Sequence, residues 1–252
     1  MEYIKGIILE NKEVIKDIYK MVVKVSLEHC KSIKPGQFYM LRGEYIEPLL
    51  PRPISVCEVS KDTITFIYAK IGRGTKEFSK LKKEDSLMLT GPLGNGFNIE
   101  EVEGKIGIVA GGIGTAPMLE LSKRIRENKG EKVEIDIHFG FRDDYYLIDE
   151  IKGYVDNIYI STDTGKYGHK GFITDLLKVS DYNLIYCCGP EPMMNKVVLK
   201  ARENNVKVYV STEKHMACGV GACLVCTCKT KDGNKRSCKD GPVFNGDDLV
   251  IE

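Results

Sequence analysis

Five of the chain's nine cysteines fall within the 21 residues from Cys218 to Cys238, and no other feature restricts the fold so tightly. Four of them are spaced Cys218-x4-Cys223-x2-Cys226-x11-Cys238. This is the plant-type arrangement of three close thiolates and one distant one that ligates a [2Fe–2S] cluster. Gly219 and Gly221, inside the first interval, let the backbone curl and turn N–H groups toward sulfur. A structural zinc site also takes four cysteines, but usually as two short knuckles. Unligated core thiols would have no reason to crowd in this way. Cys228 is a fifth thiol two residues beyond Cys226; the pattern closes without it, so it is expected to be a bystander. An odd cysteine count does not read as a secreted disulfide framework, and bridges are not expected in a reducing cytoplasm.

The remaining composition excludes more than it selects. With 37 basic against 36 acidic side chains the formal charge is +1, so no field draws nucleic acid or an anionic membrane. The first residues hold no apolar core of signal-peptide length, and no run approaches the ~20 apolar residues of a membrane span. A cytoplasmic location is expected. At 252 residues the chain is long enough to bury an extensive core, and its ordinary apolar content argues against disorder.

Up to about residue 100 the pattern is β. YKMVVKV (19–25), QFYML (37–41), PISVCEV (53–59), TITFIYA (63–69) and SLMLT (86–90) are short, rich in β-branched and aromatic residues, and separated by turn formers. No crossover helix fits between them, which predicts an antiparallel barrel or sandwich. Near Gly104 the pattern changes. KIGIVA (105–110), VEIDIHF (133–139), NIYIS (157–161), LIYCC (184–188) and KVYVS (207–211) alternate with helical stretches at 116–128, 171–179 and 191–205. Strand–helix alternation predicts a parallel α/β sheet. After Ser211 the periodicity disappears. The expected division is therefore 1–100 for the β-barrel, 101–211 for the α/β domain and 212–252 for the cysteine module.

Four short strings carry chemistry. Arg52-Pro53-Ile54-Ser55 opens a strand, where proline costs no ladder donor. The arginine can bind a phosphate through two bonds, and the serine hydroxyl can reach a ring nitrogen. Gly72-Arg73-Gly74-Thr75 leads into a short helix at KEFSKL, either as a plain turn or as backbone donors for a pyrophosphate. Gly111-Gly112-Ile113-Gly114-Thr115 follows a parallel strand and precedes a helix, the setting of a phosphate-binding turn, although it departs from the G-x-G-x-x-G fingerprint. Cys188-Gly189-Pro190-Glu191-Pro192-Met193 sits at the corresponding end of a later strand.

Together RPIS, GGIGTAP and CGPEPM, in this order, resemble the ferredoxin–NADP reductase superfamily. With STEKHMACGVGACLVCTC and CKDGPVF appended, the whole chain resembles the electron-transfer subunits of type B dihydroorotate dehydrogenase. The resemblance implies an FAD-binding β-barrel, a nicotinamide-binding α/β domain and a [2Fe–2S] module. It implies that Arg52 binds the FAD pyrophosphate beside Pro53 and Ile54, that Ser55 bonds near flavin N5, and that Ile67, Tyr68 and Ala69 line the flavin. Gly74 and Thr75 would hold FAD phosphate through the backbone. Gly111, Gly112, Gly114 and Thr115 would cradle NAD, with Cys188 and Gly189 beside the nicotinamide. Glu213 falls where relatives can place a carboxylate near the isoalloxazine, although a solvated surface charge reads equally well. Ser55, Cys188 and Glu213 are thus the implied catalytic group, and Cys218, Cys223, Cys226 and Cys238 the cluster ligands.

The implied partner is an FMN-containing catalytic subunit that oxidises dihydroorotate in pyrimidine biosynthesis, in a heterotetramer with two copies of each chain. No residues of this chain suggest a dihydroorotate pocket. Asp163, after the strand at 157–161, would repel a 2′-phosphate and favours NAD, whereas Arg142 and Lys166 could supply the opposite charge. Related flavoprotein subunits, of a sulfide dehydrogenase or a ferredoxin-linked transhydrogenase, carry the same three parts. A non-catalytic zinc- and nucleotide-binding regulator is the reading from another class.

Overall fold

The structure, a computed structural model, describes residues 2–44 and 49–251. Six strands close into an antiparallel barrel: β1 (Glu2–Ile15), β2 (Ile18–Lys24), β3 (Phe38–Gly43), β4 (Arg52–Ser60), β5 (Thr63–Ala69) and β6 (Ser86–Leu93), ordered β1-β2-β5-β4-β3-β6. Five of them coincide with the segments picked out by their β-branched and aromatic content. The other, β1, lacks that signature because only alternate positions face inward: Gly6 and Ile8 are buried while Lys5, Leu9 and Lys12 are exposed. Register shifts at Ile8/Glu10 and Glu13/Ile15 bend it, so that one long strand pairs with both β2 and β6 and leaves the barrel no open edge there. Helix α1 (Leu27–Lys31) is capped by Ser26, whose hydroxyl accepts the His29 N–H at 3.2 Å. Helix α2 (Arg73–Phe78) begins earlier than the KEFSKL string suggests.

Beyond the barrel, β7 (Lys105–Gly111), β8 (Glu134–Phe141), β9 (Asn157–Thr162), β10 (His169–Lys170), β11 (Leu184–Cys188) and β12 (Lys207–Ser211) form a parallel sheet. Helices α3 (Ala116–Lys129), α4 (Ile148–Ile151), α5 (Ile173–Leu176) and α6 (Glu191–Glu203) connect them. The core under α3 is continuous with barrel residues Cys57, Ile67 and Phe97, whereas α5 and α6 pack on the opposite face. The helix expected over 171–179 is a single turn. Leu177 and Val179 are drawn into the core beside α6, and Leu177 turns extended to get there, which ends the helix. The chain runs outward from β7 through β8, β9 and β10, then returns to β11 and β12 on the other side. That reversal puts a crevice at the carboxyl ends of β7 and β11, where open sheets bind ligands.

The last segment carries a hairpin of β13 (Thr227–Thr230) and β14 (Gly233–Arg236), then β15 (Val243–Asn245), which adds antiparallel to β12. The sequence pattern hides this hairpin because only Cys228 and Thr230 of β13 turn inward. No helix among the described residues is long and apolar enough to cross a membrane.

Candidate functional site

A cavity of about 1030 Å³ opens where the barrel, the α/β sheet and the segment after Ser211 meet. Its barrel wall exists because β4 and β5 come apart. Their ladder runs from Ser60/Thr63 to Val56/Phe66 and stops, so residues 52–55 and 67–69 face each other unpaired. Residues 52–55 pair outward with β3, and 67–69 pair outward with β2. The backbone edges left facing the gap need partners, and a flat ring bearing ring nitrogens and carbonyl oxygens can supply them. Arg52, Pro53, Ile54, Ser55, Ile67, Tyr68 and Ala69 all lie on this wall.

Arg52 crosses directly over Gly74, where a Cβ would fall 2.3 Å from its Nε, and it donates to the Leu50 carbonyl. The Thr75 hydroxyl accepts the N–H groups of Ile71 and Gly72 at 3.0 and 3.2 Å, closing the turn from inside. Gly74 and Thr75 therefore shape this loop from behind, while Ile71 and Arg73 reach the cavity. Arg73 is the residue the glycine string concealed: a cation between two turn glycines was its signal.

The nucleotide wall is built in another way. A Cβ on Gly114 would lie 2.6 Å from the Cys188 carbonyl, one on Gly111 would lie 2.8 Å from Pro190, and one on Gly189 would lie 2.8 Å from the Gly111 nitrogen. The two loops after β7 and β11 therefore interlock through three glycines. Gly112 differs: a Cβ there would meet nothing within 4 Å, but its φ of +52° keeps the position to glycine. Tyr146 donates to the Gly112 carbonyl at 2.7 Å. Ile113 and Ala116 face the cavity, whereas Thr115 is fully enclosed and its hydroxyl has no partner among the described residues.

Residues 212–216 form the third wall, and of these the sequence singled out only Glu213. Glu213 is open to the cavity yet ringed by protein, and this enclosure lifts its carboxyl above the ordinary value. Cys188 lies behind the wall, 1% exposed, with burial and then the Glu213 charge pushing its thiol far up, so it is held as a neutral thiol. Ser55 and Glu213 thus share the cavity, while Cys188 does not reach its surface. Lys214 bonds both oxygens of Glu191 at 3.2 Å, tying this wall to the start of α6. At the end of β9, Lys166 is engaged by Asp144 at 2.6 Å and lies over the Tyr167 ring, while Asp163 is exposed.

The four cysteines come together in pairs. All four are free thiols; Cys218 lies within hydrogen-bonding reach of Cys223, and Cys238 within reach of Cys226. Burial raises the Cys218 thiol, but the N–H groups of Val220, Cys223 and Ala222 outweigh it and draw the thiol down to about 6. Cys238 is pushed up to about 12 by burial and by the Cys226 sulfur, against a bond from the Gly221 N–H. Among the described residues no three Cys, His or carboxylate groups close on a single metal point. Two sulfur pairs, each offered backbone N–H groups, suit two irons better than one zinc, so these residues fit a [2Fe–2S] cluster. Gly219 and Gly221 take φ of +70° and +82°, as the curl requires. Cys228 turns into its hairpin and donates to the Lys235 carbonyl at 3.6 Å.

This module is polar in its placement. Cys226 and Cys238 are buried on Phe38, Met40, Leu93 and Met216, and both Phe38 and Met216 also line the cavity. Cys223 is exposed, as are its neighbours Val220, Leu224 and Val225.

Comparison with known proteins agrees with this geometry. Residues 213–250 match the iron–sulfur cluster binding domain of dihydroorotate dehydrogenase B, and residues 108–198 match an oxidoreductase NAD-binding domain. The chain is 55% identical over 246 residues to the dihydroorotate dehydrogenase B (NAD(+)) electron transfer subunit of Clostridium perfringens, covering 98% of this chain and 97% of the relative. It is 47% identical to the same subunit of Clostridium acetobutylicum, covering 97% and 96%. Among solved structures, it is similar to an NADH-dependent reduced ferredoxin–NADP oxidoreductase described for flavin-based electron bifurcation. That match has a TM-score of 0.84 and 29% identity, covering 97% of this chain and 89% of the other.

Proposed function

The chain belongs to the electron-transfer subunits of NAD(+)-linked dihydroorotate dehydrogenase B, and from that premise we propose how its residues divide the work. It is an oxidoreductase subunit that uses FAD, a [2Fe–2S] cluster and NAD, and it works with a catalytic partner subunit. The observation that carries this reading is the placement of one cavity between an interlocked nucleotide wall and a cysteine module, with Phe38 and Met216 both lining the cavity and packing on the buried Cys226 and Cys238.

When bound, FAD joins the one-electron chemistry of the cluster to the two-electron chemistry of the nicotinamide. Arg52 and Arg73 would hold its pyrophosphate, and the splayed backbone at 52–55 and 67–69 would hold its ring, with the Ser55 hydroxyl available to a ring nitrogen. The loops at 111–115 and 188–189 hold the nicotinamide dinucleotide against it. Cys188 stands behind the nucleotide loops as a neutral buried thiol and backs them from within the sheet. Glu213 holds a proton or a charge beside the ring, according to pH. Cys218, Cys223, Cys226 and Cys238 would hold the cluster, the first two toward the surface and the last two toward the cavity. Lys166 is neutralised by Asp144 and Asp163 is free to repel a 2′-phosphate, which supports NAD over NADP.

The functional units are 1–100 for FAD, 101–211 for NAD and 212–252 for the cluster. Dihydroorotate oxidation would fall to the partner's FMN, and the exposed Cys223 edge, whose apolar rim suits a docked protein surface, is the face this chain would offer it. The assembly is a heterotetramer with two of each chain, and nine unbridged cysteines suit the cytoplasm.

The isolated chain, loaded with FAD and cluster, is expected to oxidise NADH with an artificial acceptor. Dihydroorotate-dependent NAD⁺ reduction is expected only with the partner present, and dihydroorotate turnover by this chain alone would overturn the reading. The similarity to the ferredoxin–NADP oxidoreductase keeps a transhydrogenase role as the second reading. Co-purification of a dihydroorotate-oxidising flavoprotein separates the two, and native mass determination of that complex tests the two-plus-two stoichiometry.

A further inference from the structure

The barrel and the nucleotide half meet along a seam where helix α3 lies against strand β4, and the centre of that seam is charged. Glu120 of α3 is 0% exposed. One of its oxygens accepts the backbone N–H of Val59 at 2.8 Å, and the other accepts Arg124 Nε at 2.6 Å. Lys123 donates to the carbonyl of the same Val59 at 2.9 Å and to the Glu58 carboxylate at 3.3 Å. One barrel residue thus has both of its backbone polar groups held by side chains from the other half.

The reason lies in β4 itself. Its pairing with β3 reaches only to Ser55, so from Cys57 onward its outer side is a bare sheet edge. A bulge between Val56 and Glu58 turns Cys57 into the core shared with α3. Beyond the bulge, the groups of Val59 that face away from β5 need partners, and α3 supplies them. An edge left open to water would satisfy the same two groups without desolvating a carboxylate, so stability alone does not call for the contact. What the contact adds is register.

Register matters here because of what each element carries. Four residues before Val59 is Ser55, on the flavin wall, and five residues before Glu120 is Thr115, at the end of the nucleotide loop. We propose that Glu120 and Lys123 are positioning residues for hydride transfer, their grip on Val59 setting the separation between the flavin-bearing strand and the nucleotide-bearing loop. The inference rests on the assignment of those two walls to FAD and NAD.

The test uses the full chain loaded with FAD and cluster, with Glu120→Ala and Lys123→Met. Three quantities are read: hydrogen exchange at the Val59 amide, NADH oxidation by an artificial acceptor, and the long-wavelength absorption of the nicotinamide–flavin complex. Glu120→Ala is expected to lose Val59 protection, to lower kcat by about 10- to 100-fold, as misplacement near 1 Å does, and to weaken the absorption band. KM for NADH should stay within about twofold, since no nucleotide contact is removed. Lys123→Met should show the same pattern, smaller, and it decides the matter alone if Glu120→Ala does not fold. Lost protection with wild-type kcat and band would make the contact merely structural and overturn the proposal. A wild-type chain inert toward NADH would instead overturn the FAD and NAD assignment, a failure that the exchange measurement separates from this one.

Discussion

Along its barrel wall the cavity is bounded by strands that have come apart, and along its nucleotide wall by loops that have closed on each other. Residues 52–55 and 67–69 leave backbone edges unpaired across the gap. The loops at 111–115 and 188–190 are packed so closely that a single methyl group on Gly114 would strike main chain. The first wall leaves backbone groups for a ligand to complete, whereas the second is finished by its own packing. This difference suits a cofactor that stays and a substrate that comes and goes: one wall gains stability from occupancy, and the other spends none of its binding energy on ordering loops.

The largest effect expected from this contrast is that of FAD removal. Ligand held at a hundredfold over its Kd contributes about 2.7 kcal/mol, and here the contribution should be local. Stripping FAD should lower the thermal midpoint and raise hydrogen exchange in β4 and β5, while β7 and β11 keep their protection. Uniform loss across both walls would break the comparison.

Gly114→Ala should act in the opposite place. Its new Cβ would stand 2.6 Å from the Cys188 carbonyl carbon and oxygen, and backbone in a packed sheet cannot swing aside. A loss of about 2–3 kcal/mol is expected in denaturation, with a raised KM for NADH and unchanged FAD content. Gly74→Ala sharpens the contrast. There the nearest atoms all belong to the Arg52 side chain, 2.3 Å from the new Cβ at its Nε, which can move away. Stability should change by less than about 1 kcal/mol, but a displaced Arg52 should weaken FAD binding about tenfold, the weight of one charge-assisted bond. Equal stability losses at the two glycines would show that the walls are not different in kind.

The same contrast explains what could be read in the sequence. Cysteine spacing and the RPIS, GGIGTAP and CGPEPM strings are local: RPIS opens a strand and the other two strings begin where one ends, so residue type and position can be read together without a distant partner. Of the six parallel strands, β7, β8 and β11 are the most legible because both their faces are buried, which makes them continuous apolar runs, whereas the two-residue, exposed β10 leaves no such run. What escaped is whatever depends on a distant partner. Strand β1 shows alternation diluted by surface charge. Tyr146 reaches Gly112 across 34 positions, and Glu120 meets Val59 across 61. A buried glutamate in APMLELSKRIREN looks like any solvated helix face until the bulge opposite it is known. The divergence of β4 from β5, which makes the flavin wall, leaves no mark in either strand's composition.

The smallest expected effect concerns Glu213, which stands between the two walls. Although its carboxyl opens to the cavity, the protein packed around it desolvates it and raises it above the ordinary value. In the folded protein it therefore keeps its proton over a pH window in which the unfolded chain has already lost it. Stability should accordingly fall as pH rises from the ordinary carboxylate range to the raised folded value, since there the unfolded state binds fewer protons. Urea midpoints measured across that window should slope downward in the wild type and less so in Glu213→Gln. The enclosure arises from protein atoms and not from a bound ring, so the slope should already be present in FAD-free protein. If it appears only after FAD is bound, the pocket around Glu213 belongs to the wall that its ligand completes and not to the one already closed.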